Sequence, residues 1–141
     1  MSCCGNCGQP SPGDMIGVNV DRVAQYRGGR CDGEACPACF MEPDPNLIAT
    51  CNAGRCEAID VRTHDVSACS ADMDCTLRVN TCCACSSAEP IAIRAADEAA
   101  FTRLVCVGDE ACPECFPAFP DWSASCQMGH CAAVMSPVAT P

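Results

Sequence analysis

The chain has 141 residues, of which 18 are cysteine and only six are aromatic, so a conventional aromatic-rich core is not expected and a disulfide scaffold is. Its 18 acidic residues outnumber 8 basic ones, all arginine, and the formal net charge of -10 argues against a nucleic-acid partner. No apolar run approaches the ~20 residues that cross a bilayer, so the chain reads as soluble.

In chain order, the first cysteines are Cys3, Cys4 and Cys7. Ile16, Val18 and Val20 alternate with Gly17 and Asn19, which predicts a short strand. Residues from about Asp21 to Arg27 have helix-forming composition, and Gly28-Gly29 should stop that helix early. After Cys31 comes the loop Cys36-Pro37-Ala38-Cys39, and then Leu47 to Cys51 and Cys56 to Val61 around Gly54, the pattern of a β-hairpin. The polar stretch Asp60–Ser67 reads as a boundary, followed by a lead-in from Cys69 to Cys75 and the cluster Cys82-Cys83-x-Cys85. Ile91 and Ile93 suggest a second, weaker strand. Residues 95–105 predict a helix with Ala96, Ala100 and Leu104 on one apolar face. Cys106, the loop Cys112-Pro113-Glu114-Cys115, a second hairpin (Trp122 to Cys126, Cys131 to Val134, around Gly129) and a loose tail complete the chain.

These elements repeat. Ile16 through Cys31 aligns without gaps on Ile91 through Cys106, at an offset of 75. Cys36, Cys39, Cys51 and Cys56 then fall on Cys112, Cys115, Cys126 and Cys131, and the trio Cys3, Cys4, Cys7 on Cys82, Cys83, Cys85. The expected fold is therefore a small disulfide-rich α+β protein built by tandem duplication, each unit a short three-stranded antiparallel sheet with one helix. Unit one would occupy residues 1–61, unit two residues 62–135 with the extra Cys69/Cys75 lead-in, and residues 136–141 a flexible tail. Units this small bury too little surface to be stable without staples.

Both units hold an even number of cysteines, so all 18 can pair: Cys3, Cys4, Cys7, Cys31, Cys36, Cys39, Cys51 and Cys56 in the first, and Cys69, Cys75, Cys82, Cys83, Cys85, Cys106, Cys112, Cys115, Cys126 and Cys131 in the second. Which pairs with which stays open, since eight cysteines admit on the order of a hundred pairings. Equivalent cysteines should nonetheless pair equivalently, except where Cys69 and Cys75 intervene. Full pairing implies an oxidising compartment, hence a secreted, periplasmic or cell-surface protein, and an export leader ahead of Met1, while the variant of lipid attachment at Cys3 or Cys4 would leave 17 cysteines, an odd number. The lack of lysine beside abundant Ala, Arg, Asp, Pro and Val fits a GC-rich bacterial genome.

Several motifs have residue types that could carry chemistry. The two Cys-Pro-x-Cys loops have the spacing of thiol oxidoreductases but follow a helix instead of opening one, which points to structure. Cys36, Cys39, Cys51 and Cys56, and again Cys112, Cys115, Cys126 and Cys131, have Cys4 zinc spacing, and this alternative includes zinc or copper storage. Asp72 and Asp74, near Asp60 and Asp65, lack the rest of an EF-hand pattern and read as a solvated loop. His64 and His130 are expected on the surface, Trp122 as a core plug, and Arg22, Arg27, Arg94 and Arg103 on solvated faces. No catalytic residue and no cofactor is expected.

The run Cys69-x5-Cys75-x6-Cys82-Cys83-x-Cys85, with Asp74 before a cysteine, resembles the whey-acidic-protein four-disulfide core. Members of that family often inhibit serine proteases through an exposed loop, but the resemblance covers only some 17 residues, departs from the family in its last spacing, and carries no inhibitory loop over to this chain. The pattern Cys-x2-Asp-x-Asp-Cys, Cys-Cys-x-Cys, helix, Cys-x2-Gly-x-Cys, over nearly the whole chain, resembles uncharacterised cysteine-rich domains in predicted secreted proteins and lipoproteins of GC-rich soil bacteria. That resemblance implies an exported protein. The combined expectation is a non-enzymatic, disulfide-stabilised binding or structural module that engages a protein or extracellular surface component. Its rivals are a protease inhibitor and a metal-binding protein.

Overall fold

The computed structural model describes residues 8, 10–28, 38, 43–83, 85, 89–106, 111–115 and 117–136. The chain divides into two compact units, Met1–Ile59 and Asp60–Pro141.

In unit one the described residues form a short helix α1 (Val23–Gly28) and a hairpin of β1 (Leu47–Asn52) and β2 (Arg55–Asp60). The hairpin turns on Ala53 and Gly54, both at positive φ (49° and 79°), the two-residue geometry whose twist matches paired strands. The strand expected over Ile16–Val20 is absent. Asn19 accepts a hydrogen bond from the Asp21 amide at 2.9 Å and starts a 3-10 turn at Val20–Arg22, which leaves Val20 81% exposed. Local capping therefore wins over the alternating pattern. The segment still passes close to β2. A Cβ on Gly17 would lie 2.5 Å from the Glu57 amide nitrogen and 2.7 Å from the Cys56 carbonyl carbon, so only glycine fits there.

Among the described residues of unit two there are four strands: β3 (Cys75–Arg78), β4 (Ile91–Arg94), β5 (Trp122–Gln127) and β6 (His130–Met135). They pair as β3 with β4 and β5 with β6, both antiparallel, with Thr76 opposite Ile93 and Cys126 opposite Cys131. Ile91, Ala92 and Ile93 are consecutive and all buried, because β4 packs against β6, helix α2 (Glu98–Val105) and the 3-10 turns at Val61–Thr63 and Asp65–Ser67. A strand covered on both faces reads as a continuous apolar run instead of an alternation. Val61, Val66, Val79 and Phe101 complete this core. A 3-10 turn at Ala95–Asp97 precedes α2, so Ala96 is exposed, and Phe101 is the fully buried helix residue.

The expected fold class is thus corrected. The sheets are three separate two-stranded ones, with one short helix in each unit among the described residues, and the two units are not copies of one architecture. In unit two the expected third strand of the hairpin, β4, pairs instead with β3, which the Cys69/Cys75 lead-in supplies. In unit one the corresponding segment forms a turn. Residues 137–141 of the expected tail lie outside the described residues, while the Ser136 amide bonds to the Asp121 carbonyl at 2.7 Å.

Candidate functional site

Covalent sulfur chemistry dominates unit two. Its ten cysteines close five bridges: Cys69–Cys126, Cys75–Cys131, Cys82–Cys106, Cys83–Cys112 and Cys85–Cys115. In unit one Cys51 bonds to Cys56 across the hairpin. The protein is therefore a small, disulfide-stabilised one, and six bridges belong to an oxidising environment. Cys3, Cys4, Cys7, Cys31, Cys36 and Cys39 lie outside the described residues, and with them the first Cys-Pro-x-Cys loop and half of the first zinc-spaced set.

The second such set is not brought together. Cys112 and Cys115 are each tied to the Cys82–Cys85 segment, whereas Cys126 and Cys131 are tied to the lead-in. The same bonds place Cys112 and Cys115 in different bridges, so they are not each other's redox partners. Two groups of three sulfurs do converge, Cys69 with Cys75 and Cys131, and Cys82 with Cys83 and Cys112, each within 4.8 Å. In both, neighbouring bridges stack against each other.

The bridges of the Cys82–Cys85 segment border a cleft of about 460 Å³ that is also lined by Arg78, Glu98, Thr102 and Glu114. Arg78, at the end of β3, is 4% exposed. Its guanidinium lies 4.5 Å from the centre of the Phe101 ring. It donates to the Val79 carbonyl (3.1 Å), the Thr102 hydroxyl (3.1 Å) and the Thr81 carbonyl (3.2 Å). Burial lowers its pKa, and Glu98 partly opposes this. Arginine nonetheless keeps its charge. Among the described residues no carboxylate forms an ion pair with it. The Thr81 hydroxyl donates to the Cys83 carbonyl (2.9 Å), as does the Cys85 amide (2.7 Å), which fixes the path of the cysteine cluster. Unlike the arginines expected on solvated faces, Arg78 has as its sequence signal only its place in Thr76-Leu77-Arg78-Val79, directly before the cysteine cluster.

The polar candidates serve the scaffold. The Asp72 carboxylate accepts from the Cys126 amide at 2.7 Å and tethers β5. Asp74 accepts from the Ser70 (2.8 Å) and Ala71 (3.0 Å) amides, which together lower its pKa below the usual 3.8. Burial raises the pKa of Asp60, but hydrogen bonds and charge from Arg62 outweigh it, and the net direction is down. The histidines expected on the surface are half-buried. His64 Nδ1 accepts from the Val66 amide at 3.2 Å. The fully buried Ser67 hydroxyl donates to the His64 carbonyl at 2.9 Å, so His130 Nδ1, also 2.9 Å away, acts as donor to that oxygen. A serine so enclosed is a strut and cannot act as a nucleophile. Trp122 is half-buried opposite Met135.

Large apolar side chains are left outside. Met128 is 99% exposed at the β5–β6 turn and Met73 is 89% exposed on the 3-10 turn Asp72–Asp74. No helix among the described residues is long and apolar enough to cross a membrane. No protein-family profile, curated protein or solved structure matches this chain.

Proposed function

We infer that the protein is a non-enzymatic, exported module that uses its cross-linked scaffold to bind a protein at the cell surface or outside the cell. The observation that carries this reading is the tip of the β5–β6 hairpin. Met128 has a positive φ of 51° and is almost wholly exposed, although glycine or asparagine would suit the turn better. A solvent-facing apolar side chain held in a strained backbone is a mark of contact function. The strands that carry it are anchored by Cys126 two residues before and Cys131 three residues after, each bonded to the lead-in. Rigid presentation lowers the ordering cost of association. The chain's formal net charge of -10 argues against a phosphate backbone as the partner.

The test is saturable binding of labelled protein to intact cells and cell-envelope fractions of its source, with Met128→Ser and Met73→Ser beside the unsubstituted protein. Binding weakened at least about tenfold by Met128→Ser, corresponding to 1.4 kcal/mol, at unchanged thermal stability supports the reading. Absence of saturable binding, or equal binding by all three proteins, overturns it.

A further inference from the structure

We propose that Cys82, Cys83, Cys106 and Cys112 form a thiol-exchange site, at which a small thiol rearranges two bridges and moves Cys112 from Cys83 to Cys82. Cys82 Sγ lies 3.9 Å from Cys112 Sγ although the two are bonded elsewhere, to Cys106 and Cys83. Neither sulfur carries a proton in this state, so the approach is a contact between bridges, already near the distance at which a freed thiolate would attack. Cys112 is exposed and Cys82 half-buried, both lining the 460 Å³ cleft, and Cys106, the sulfur attacked first, is half-buried and bonded to the cleft-lining Cys82.

Backbone and charge favour the same event. Cys82, Cys83 and Cys112 belong to no strand or helix, and Cys106 is the residue at which α2 ends, so the sulfurs can shift without breaking a ladder. Arg78 lines the cleft as a cation, which favours a thiolate leaving there, while Glu98 and Glu114 partly oppose it. The other converging group behaves differently. Cys75, Cys126 and Cys131 belong to strands β3, β5 and β6, so shifting those sulfurs would disturb paired strands, and Cys131 is only 2% exposed.

The steps balance. A small-thiol thiolate attacks Cys106 Sγ, forms a mixed disulfide with it and releases Cys82 as thiolate. Cys82 then attacks Cys112 Sγ, forming Cys82–Cys112 and releasing the Cys83 thiolate. A second small-thiol thiolate resolves the mixed disulfide. Two small thiols leave as one disulfide, and one protein bridge has been reduced to the thiols of Cys83 and Cys106.

Glutathione serves as the probe, on the intact protein, with brief exposure, acid quench, alkylation and mapping of linked peptides. The expected products are a Cys82–Cys112 linkage with Cys83 alkylated, formed at least about tenfold faster than any thiol from Cys69, Cys75, Cys126 or Cys131, since exchange follows access and thiolate stability. First labelling in that second group, labelling of Cys82 and Cys106 with Cys83–Cys112 intact, or no labelling at all overturns the proposal. A Cys106→Ala variant gives a second reading. Cys82–Cys112 with Cys83 free supports the exchange, and Cys83–Cys112 with Cys82 free refutes it. Should that variant not fold, the map of the unsubstituted protein decides.

Discussion

The two long hairpins, β1–β2 and β5–β6, share strand lengths, cysteine positions and a turn of one non-glycine residue plus glycine at positive φ, yet their sulfurs are bonded differently. Cys51 and Cys56 bond to each other, a closure spanning 5 residues. Cys126 and Cys131 face each other across β5 and β6 but bond to Cys69 and Cys75, closures of 57 and 56 residues. The same local pattern therefore does two jobs. In unit one the bridge only reinforces a turn that is already local, whereas in unit two the paired bridges fasten a distant segment onto the hairpin and bring β3 into the core as the partner of β4.

The largest expected effect follows from loop length. Removing both lead-in bridges, Cys69–Cys126 and Cys75–Cys131, by four Cys→Ala substitutions should lower the stability of unit two by more than about 4 kcal/mol from chain entropy alone, since either bridge by itself still ties the same segments, and removing Cys51–Cys56 should lower that of unit one by about 2 kcal/mol. Denaturant unfolding followed by hydrogen exchange resolves the units, and equal losses would break the contrast. Next comes Gly17→Ala. The added methyl collides with the backbone of Cys56 and Glu57, so a loss of about 1–3 kcal/mol confined to unit one is expected, with exchange protection in unit two unchanged.

The turns should respond alike where the bridges do not. Ala53→Asn and Met128→Asn each replace a residue poorly suited to a left-handed backbone, and each should raise stability by about 0.5–1 kcal/mol in a thermal melt. A gain in only one hairpin would show that the bridges, and not the turn, set the local strain. The smallest effect belongs to Asp74, whose amide partners lie in the lead-in. Its pKa is lower folded than unfolded, so its contribution is present above the ordinary value of 3.8 and is lost as pH falls through the folded value. Asp74→Asn should therefore reduce stability near neutral pH, and the gap to the unsubstituted protein should close below 3.8 in an acid titration of the melt. A gap that stays constant with pH would show that charge is not what the Ser70 and Ala71 amides respond to.

Hairpins and the second helix were legible because their signals are local. A glycine between two cysteines five apart fixes a turn, and residues 95–105 have no strong helix breaker before Cys106. Ile16 to Val20 misled because its alternation is real while Asn19 caps a turn within it. Ile91 to Ile93 was undervalued because burial on both faces removes alternation. Among the candidate site residues, the cleft of Cys82, Cys112 and Arg78 was not readable, since its walls come from segments about 30 residues apart. The possibility that Cys69 and Cys75 would disturb an otherwise parallel pairing was visible, but not which sulfurs they would take.

The amino-acid sequence by itself determined that sulfur cross-links would staple a small core and where the tight turns would fall, because composition and turn chemistry act on neighbouring residues. Only the tertiary structure decided the partners of those sulfurs and of each strand. A cysteine can bond to any other that folding brings within reach, and a strand pairs with whichever edge the rest of the chain delivers to it.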